Sequence, residues 1–231
     1  MVGQDGSVRT VAAELVAEGL TKDYGDLLAL APLDLRVPAG QRVVVVGPNG
    51  SGKTTLLRMV AGLLEPSDGT VTIDGHPAGS LPARQATCYL PDDPVLYDDL
   101  SVAEHLEYTA RLHGRHDWES AATELLDQLS LGGRADVLPS RFSRGLRQKT
   151  SVALGLIRPF SLLLVDEPFV GLDASGRQAL TAMLDELKAT LLIATHQMDY
   201  VARADRCLAL RDGAVTYDGP ASGADLSSLV G

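Results

Sequence analysis

The chain has 231 residues and a formal net charge of −10, which comes from 20 basic and 30 acidic side chains. Hydrophobic residues make up 45% and charged residues 22%, the ordinary mixture of a globular protein, so disorder and fibrous repeats are poor interpretations. Proteins that bind nucleic acids by neutralising phosphates need the opposite charge, so we expect no nucleic-acid partner.

Cysteine usage and hydropathy both favour the cytoplasm. Cys88 and Cys207 are far apart and lack metal-ligand spacing, so we predict two buried free thiols in a reducing compartment. No apolar run approaches the roughly 18 residues that a membrane span needs. The segment from Met1 to Ala13 carries Asp5 and lacks the basic and apolar regions of a signal peptide. We therefore expect any membrane contact to be made through a partner.

The first part of the chain alternates short apolar runs with turn residues. Leu33–Val37 alternates apolar and polar side chains, as a half-exposed strand does. The four valines of Arg42–Val46 suit a strand that is buried on both faces. Further strands are predicted over Leu15–Leu20 and Thr70–Asp74, and a helix over Thr54–Leu63.

The segment at about 93–159 has no convincing strand and predicts a helical insert. Ser101 followed by Glu104 is a capping-box pattern, which marks the start of a helix. Helices are predicted over Val102–Leu112, Trp118–Leu129 and Arg144–Ile157.

The alternation of strand and helix resumes after the insert. We predict strands over Ser161–Val165 and Leu191–Ala194, with a helix over Ala174–Lys188 between them. Two more strands, Cys207–Arg211 and Ala214–Tyr217, flank the hairpin signal Asp212-Gly213. The sequence therefore predicts one domain over 1–231 of the α/β class. It has a mainly parallel sheet, an antiparallel β subdomain and the inserted helical subdomain.

A phosphate-loop pattern lies between the predicted buried strand and its helix. It consists of Gly47, Pro48, Asn49, Gly50, Ser51, Gly52, Lys53 and Thr54. Its glycines let backbone amides point at phosphate oxygens, and the helix N-terminus favours an anion. We predict that Lys53 contacts the outer phosphates, that Thr54 offers a hydroxyl to Mg²⁺, and that Thr55 also binds nucleotide. The alternative is an ordinary glycine-rich turn.

Two carboxylates follow a second apolar run. Asp166 and Glu167 come directly after Leu162–Val165, at the strand end where open α/β sheets bind ligands. We predict that Asp166 holds Mg²⁺ and that Glu167 acts as the general base for an attacking water. His196 ends the next apolar strand, and a parallel neighbour would bring it to the same edge. A strand-end turn and a structural histidine are the alternatives.

With these residues in place, the chain resembles the nucleotide-binding domain of ATP-binding-cassette (ABC) transporters, from about Leu15 to Gly219. The family's Leu-Ser-Gly-Gly-Gln signature corresponds to Phe142–Leu146, in which Ser143 and Gly145 are retained. Such divergent signatures are similar to those of exporter-type (ABC-2-like) ATPases. The resemblance implies a P-loop NTPase (RecA-like) core that binds ATP and Mg²⁺. It also implies that ATP lies between two chains, with Ser143 and Gly145 at the partner's γ-phosphate.

Other positions are carried over from the same resemblance. Tyr24 corresponds to the aromatic residue that stacks on adenine, although an ordinary turn tyrosine is the alternative. Asp173 corresponds to the residue that contacts the opposing phosphate loop, and His196 to the switch histidine that contacts the γ-phosphate.

The chain departs from the family pattern after the predicted strand Cys88–Pro91. Asp92 stands where the family usually has a glutamine that senses magnesium. A carboxylate can ligate Mg²⁺, and we hypothesise weaker ATP affinity and stronger magnesium dependence. A solvated loop carboxylate is the alternative. The following Val95, Leu96 and Tyr97 either line a groove for a membrane subunit or belong to the helical core.

The resemblance implies an ATP-binding and ATP-hydrolysing subunit that powers a separate transmembrane permease by closure of a homodimer or heterodimer. The short tail after the hairpin favours export, since many import ATPases append a regulatory domain. Such a subunit is cytoplasmic and peripheral at the inner face of the cell membrane. The alternatives are a soluble non-transport ABC ATPase and a catalytically weak regulatory cassette.

Overall fold

The computed structural model describes residues 11–224, which divide into two compact units. The first unit contains residues 11–89, 160–167 and 188–224, and the second contains 90–159 and 168–187. The predicted single domain over 1–231, with its insert at about 93–159, stays a prediction. The segment from Met1 to Ala13, which we predict not to be a signal peptide, lies mostly outside the described residues.

Strands and helices follow the alternation seen in the sequence. The strands are β1 Leu15–Asp23, β2 Leu28–Val37, β3 Arg42–Val46, β4 Asp68–Ile73, β5 His76–Pro77, β6 Thr87–Leu90, β7 Leu162–Asp166, β8 Thr190–Ala194, β9 Arg206–Arg211 and β10 Ala214–Pro220. The α-helices are α1 Lys53–Val60, α2 Leu81–Ala86, α3 Val102–Leu112, α4 Trp118–Gln128, α5 Arg144–Leu156, α6 Ala174–Glu186 and α7 Met198–Val201.

The larger sheet has six strands in the order β10-β9-β3-β8-β7-β6. β3 pairs in parallel with β8 and β9, β7 pairs in parallel with β8, and β9 and β10 form the predicted antiparallel hairpin. In this register Ala194 pairs with both Val45 and Asp166, so the carboxyl ends of β3, β7 and β8 meet at one edge. The prediction of a mainly parallel sheet is confirmed.

The smaller sheet has four antiparallel strands in the order β2-β1-β4-β5. β1 and β2 are longer than predicted, because pairing carries them out to Asp23, which lies opposite Leu28. Apolar side chains from both sheets and from α1 form a shared core that contains Leu15, Val43 and Leu57. Neither Cys88 nor Cys207 forms a disulfide, and both are buried, as predicted. Burial raises the pKa of the Cys207 thiol to about 11.

The second unit is built on α3, α4 and α5, which pack pairwise. The predicted capping box starts α3. The Ser101 backbone N–H donates to Glu104 Oε2 at 2.7 Å, and the Glu104 N–H donates to Ser101 Oγ at 3.3 Å. These bonds satisfy backbone donors that a helix start otherwise leaves unpaired.

One predicted boundary differs clearly from the structure. The helix expected over Thr54–Leu63 ends at Val60, and the side chain of Leu63 is 66% exposed. A Cβ atom at Gly62 would lie 2.2 Å from the backbone nitrogen of Gly79. The chain therefore turns away from the helix axis there, where only glycine allows that approach.

Candidate active site

The phosphate loop connects β3 to α1 in the first unit. A Cβ atom at Gly47 would lie 2.1 Å from the Leu210 carbonyl oxygen, so only glycine fits between the loop and β9. Asn49 and Gly50 form the exposed tip, with Pro48 half-buried beside it, and Gly52 is the N-cap of α1. Thr54 and Thr55 lie half-buried in the first helical turn.

Lys53 starts α1 and reaches back under the loop. Its Nζ donates to the carbonyl oxygens of Gly47 at 2.7 Å and Pro48 at 3.0 Å. Burial lowers the pKa of Lys53, and the nearby negative charges of Glu167 and Asp166 oppose that change. The lysine therefore places a donor group between the loop and the two carboxylates.

A buried hydroxyl of the loop has no partner in the described residues. Ser51 is 1% exposed, and its Oγ makes no hydrogen bond within residues 11–224. Buried hydroxyls are normally hydrogen-bonded. An orphaned hydroxyl among the loop's amides fits a site that receives a polyanion with many acceptor oxygens.

Thr54 and Asp166 meet across the sheet edge. Thr54 Oγ1 donates to Asp166 Oδ2 at 2.6 Å, and Asp166 is 2% exposed at the end of β7. Hydroxyl and carboxylate oxygens are hard ligands that suit Mg²⁺, which proteins bind with one or two carboxylates plus substrate phosphates. Within residues 11–224 no group of three or more His, Cys, Asp or Glu side chains could hold a metal ion alone.

Glu167 and His196 lie next to each other at the same edge. His196 Nδ1 is 2.9 Å from Glu167 Oε2, with 52% of the histidine side chain and 15% of the glutamate side chain exposed. Glu167 has a φ of 47°, and its backbone N–H donates to the Ala194 carbonyl at 2.9 Å. A left-handed glutamate is strained, and such strain is common where a side chain must be aimed at a ligand.

The structure thus brings together five of the predicted residues in the first unit: Lys53, Thr54, Asp166, Glu167 and His196. Tyr24 belongs to the same unit and lies one residue past β1, with 55% of the residue exposed. Its ring centroid is 5.0 Å from Lys22 Nζ, a cation–π distance.

Three other predicted residues lie together in the second unit. Ser143 caps α5, and its Oγ accepts from the Leu146 N–H at 3.4 Å. A Cβ atom at Gly145 would lie 2.3 Å from the Gly171 carbonyl oxygen, so the loop before α6 rests on this bare stretch of α5. Asp173 caps α6 by accepting from the Gly176 N–H at 2.9 Å. This hydrogen bond lowers the pKa of the Asp173 carboxyl, and the Ser175 hydroxyl adds to the effect.

Asp92 is in an ion pair that sequence reasoning did not foresee. Its Oδ1 lies 2.7 Å from Arg144 Nη2 in the second unit. One turn along α5, Arg147 Nη2 donates to the Pro94 carbonyl at 3.0 Å. The only signal in the sequence is the cluster of basic residues around the start of α5, which by itself names no partner.

A family model described as "ABC transporter" matches residues 30–170, more than half of the chain. The chain belongs to the ABC transporter ATP-binding family.

Relatives and solved structures agree with this ABC ATPase assignment. The chain is 32% identical over 207 residues to the SkfA peptide export ATP-binding protein SkfE of Bacillus subtilis (strain 168), with 87% of each chain covered. It is 35% identical over 215 residues to the aliphatic sulfonates import ATP-binding protein SsuB 1 of Paracoccus denitrificans (strain Pd 1222), which covers 91% of this chain and 84% of that protein.

A solved structure titled "Structure of ATP binding subunit of ABC transporter" superposes with a TM-score of 0.85 at 31% identity. The match covers 93% of this chain and 97% of that one. The fold is therefore the P-loop NTPase α/β fold, and the chain is an ATPase that binds ATP.

The segment after β6 gives this ABC ATPase an exposed apolar surface. Val95 is 90% exposed and Tyr97 55% exposed, so the interpretation of these two residues as helical core is wrong. Leu96 is half-buried. Within residues 11–224, none of the helices has the length and apolarity that crossing a membrane requires.

Proposed function

We propose that the chain binds MgATP at the phosphate loop, hydrolyses it and thereby powers a separate transmembrane permease. The observation that carries the proposal is the meeting of Lys53, Thr54, Asp166, Glu167 and His196 at the carboxyl edge of one sheet. This set contains a lysine that can donate hydrogen bonds to phosphate oxygens, hard oxygen ligands for a metal ion, and a carboxylate beside an imidazole. Phosphoryl transfer to water needs these groups.

Binding is assigned to the loop and its two flanking residues. The loop amides and Lys53 Nζ donate to the β- and γ-phosphate oxygens, and the Ser51 hydroxyl is free to join them. Thr54 and Asp166 hold Mg²⁺. When bound, the ion neutralises negative charge on the phosphate oxygens. The exposed ring of Tyr24 is assigned to stacking on adenine.

Hydrolysis is assigned to Glu167 and His196. Glu167 Oε2 accepts a proton from the attacking water, and its left-handed backbone aims the carboxylate out of the strand end. His196 Nδ1 lies 2.9 Å from Glu167 Oε2, and this half-exposed imidazole is assigned to the γ-phosphate. General-base catalysis of this kind contributes about 10²- to 10⁴-fold in rate.

The second unit is assigned to a partner chain's nucleotide. Ser143 and Gly145 place a hydroxyl and a bare helix N-terminus together, which suits an anion. Asp173 is assigned to the opposing phosphate loop. ATP would then close two copies, or this chain and a related one, and hydrolysis would reopen them.

Transport is proposed because the names of the relatives describe ATP-binding subunits of transporters, one for export and one for import. We assign this chain to export on the strength of its divergent signature Phe142–Leu146 and of its similarity to SkfE over 87% of both chains. The proposed location is the cytoplasmic face of the cell membrane, where the permease holds the chain. The exposed Val95 and Tyr97 are proposed to contact that permease.

The chemistry is tested by phosphate release from purified protein and its Glu167→Gln variant. We expect Glu167→Gln to lower kcat at least about 100-fold and to keep ATP affinity. The matched control is Glu186→Gln on the exposed end of α6, which should match the wild type. A kcat for Glu167→Gln equal to that of wild type would contradict the assignment of Glu167 as the general base.

The transport role is tested by tagging the chain in its native cell and identifying what co-purifies after gentle solubilisation. An integral membrane protein at near-equal stoichiometry supports the permease proposal. Recovery with ribosomes or soluble partners alone would overturn it and leave the ATPase chemistry standing. Reconstitution of the complex in inside-out vesicles then tests the direction of transport. If the complex exports, ATP added outside the vesicles must drive the transported substrate into the lumen.

A further inference from the structure

Two arginines on the first turns of α5 hold the segment that follows β6. Arg144 Nη2 lies 2.7 Å from Asp92 Oδ1, and Arg147 Nη2 donates to the Pro94 carbonyl at 3.0 Å. Residues three apart lie on the same face of a helix. One face of α5 therefore contacts residues 92–94 through an ion pair and through a hydrogen bond to a backbone carbonyl.

By the resemblance described in the sequence analysis, both members of the ion pair stand at positions where the ABC family pattern has neutral residues. Asp92 takes the place of a glutamine, and Arg144 takes the place of the first signature glycine. The structure brings the two departures from the pattern into contact with each other.

Arg144 also touches the loop that precedes α6. A Cβ atom at Gly171 would lie 3.3 Å from Arg144 Cγ, so the arginine stem covers that glycine. The neighbouring Gly145 packs against the Gly171 carbonyl. Arg144 thus lies at a junction of three segments, which carry Asp92, Ser143 and Asp173.

The charge of Arg144 is unfavourable where it stands. It is the first residue of α5, whose first turn holds no acidic residue, and the N-terminal end of a helix dipole is positive. The Asp92 carboxylate supplies the negative charge that this helix start lacks. The pair therefore places a negative charge beside the part of α5 that presents Ser143 and Gly145.

We propose that Asp92 and Arg144 act as a charge latch that positions the signature segment, and that Asp92 works through Arg144 rather than as a magnesium ligand. Arg144 is a positioning residue, since it orients the segment assigned to the partner's γ-phosphate. The proposal rests on the proposed function for its effect on ATP, but not for the latch itself.

The test is a double-mutant cycle of Asp92→Asn, Arg144→Gln and both together, with Asp93→Asn as the matched control. Asp93 is the exposed neighbouring carboxylate, so its loss changes net charge equally. Because about half of each latch side chain is exposed, at 45% for Asp92 and 55% for Arg144, we expect each single variant to raise the KM for ATP about 2- to 5-fold. The double variant should be no worse than the more affected single variant.

Magnesium dependence separates the latch from a metal ligand. We expect the half-saturating Mg²⁺ concentration to be the same in Asp92→Asn and Arg144→Gln. A rise in Asp92→Asn alone would identify Asp92 as a ligand and overturn the latch. Arg144→Lys, which keeps the charge, should recover most of the loss in KM. Additive effects in the double variant would also overturn the proposal.

Hydrogen–deuterium exchange without nucleotide tests the latch independently of activity. Amides of residues 144–147 should exchange faster in both single variants and to the same extent in the double variant, with no change in Asp93→Asn. Unchanged exchange in the single variants would overturn the latch, even if the ATPase assay succeeds. A wild type without Glu167-dependent hydrolysis would instead overturn the proposed function, and the exchange data would still decide on the latch.

Discussion

Thr54 Oγ1 donates a hydrogen bond of 2.6 Å to Asp166 Oδ2, although the two residues are 112 positions apart in the chain. The contact exists because β3 and β7 both pair in parallel with β8 and end at one edge. Thr54 is the second residue of the helix that follows β3, and Asp166 ends β7. The parallel sheet therefore assembles the proposed magnesium ligands from two remote motifs.

Replacing Thr54 by valine removes the hydroxyl and keeps the shape of the side chain. We expect the half-saturating Mg²⁺ concentration for ATP hydrolysis to rise about 10-fold, since a ligand and the donor that orients Asp166 are both lost. Thr123→Val, on an exposed face of α4, is the matched control and should behave as wild type. An unchanged magnesium titration in Thr54→Val would contradict the assignment.

Gly145→Ala tests the contact between α5 and the loop before α6. The new Cβ would lie 2.3 Å from the Gly171 carbonyl oxygen, so the backbone must move. We expect the free energy of unfolding to fall by about 1–3 kcal/mol, as measured by urea denaturation. Gly133→Ala is the control, because nothing lies within 4 Å of its Cβ position. Equal effects in the two variants would show that the contact is unimportant.

The elements that the sequence predicts well carry their own signals. The run of valines in β3 predicts Arg42–Val46, and the capping box sets the first residue of α3. The hairpin at Asp212 is equally local. The sequence does not predict the short helices α2 and α7, because four to six residues show too little periodicity to identify a helix.

The candidate site divides in the same way. The phosphate loop and the carboxylates after β7 belong to short patterns, so the sequence names them without knowledge of the fold. The partners Asp92 and Arg144 are 52 positions apart, and no local pattern couples them. The need for glycine at position 145 depends on Gly171, which only the packed structure brings near.

Acid stability should reveal the charge on Asp173. The Gly176 N–H and then the Ser175 hydroxyl lower the pKa of Asp173 below its ordinary value of 3.8. A carboxyl with a lowered folded pKa contributes stability above its unfolded pKa and loses it as the pH falls through the folded value. Asp173→Asn keeps the cap but not the charge. We expect the melting temperature of Asp173→Asn to lie below that of wild type at pH 7. The two melting temperatures should become equal once the pH is well below 3.8.

Thermal melts of Asp173→Asn and wild type between pH 7 and pH 2 make this comparison. The control is Asp136→Asn, an exposed carboxylate of the same unit, whose melting temperature should follow wild type throughout. A difference in melting temperature between Asp173→Asn and wild type that stays the same at every pH would show that ionisation of Asp173 does not contribute to stability.

His105 holds the exposed segment that precedes α3. Its Nδ1–H donates to the Ser101 carbonyl at 2.8 Å, and its Nε2 accepts from the Tyr97 backbone N–H at 2.9 Å. The Tyr97 amide can only donate, so this arrangement requires the neutral ring with its proton on Nδ1. His105 is 2% exposed, and its ring fixes the backbone beside the exposed Tyr97 and Val95.

We therefore expect His105→Ala to lower the free energy of unfolding by about 1–3 kcal/mol, because buried polar partners lose their bonds. We also expect faster chymotrypsin cleavage after Tyr97 in the folded protein, since the segment is no longer held. His116→Ala is the control, as that residue is exposed. Basal ATPase activity should survive in His105→Ala, while stimulation by the co-purified permease should fall. Cleavage at the wild-type rate would show that other contacts hold the segment.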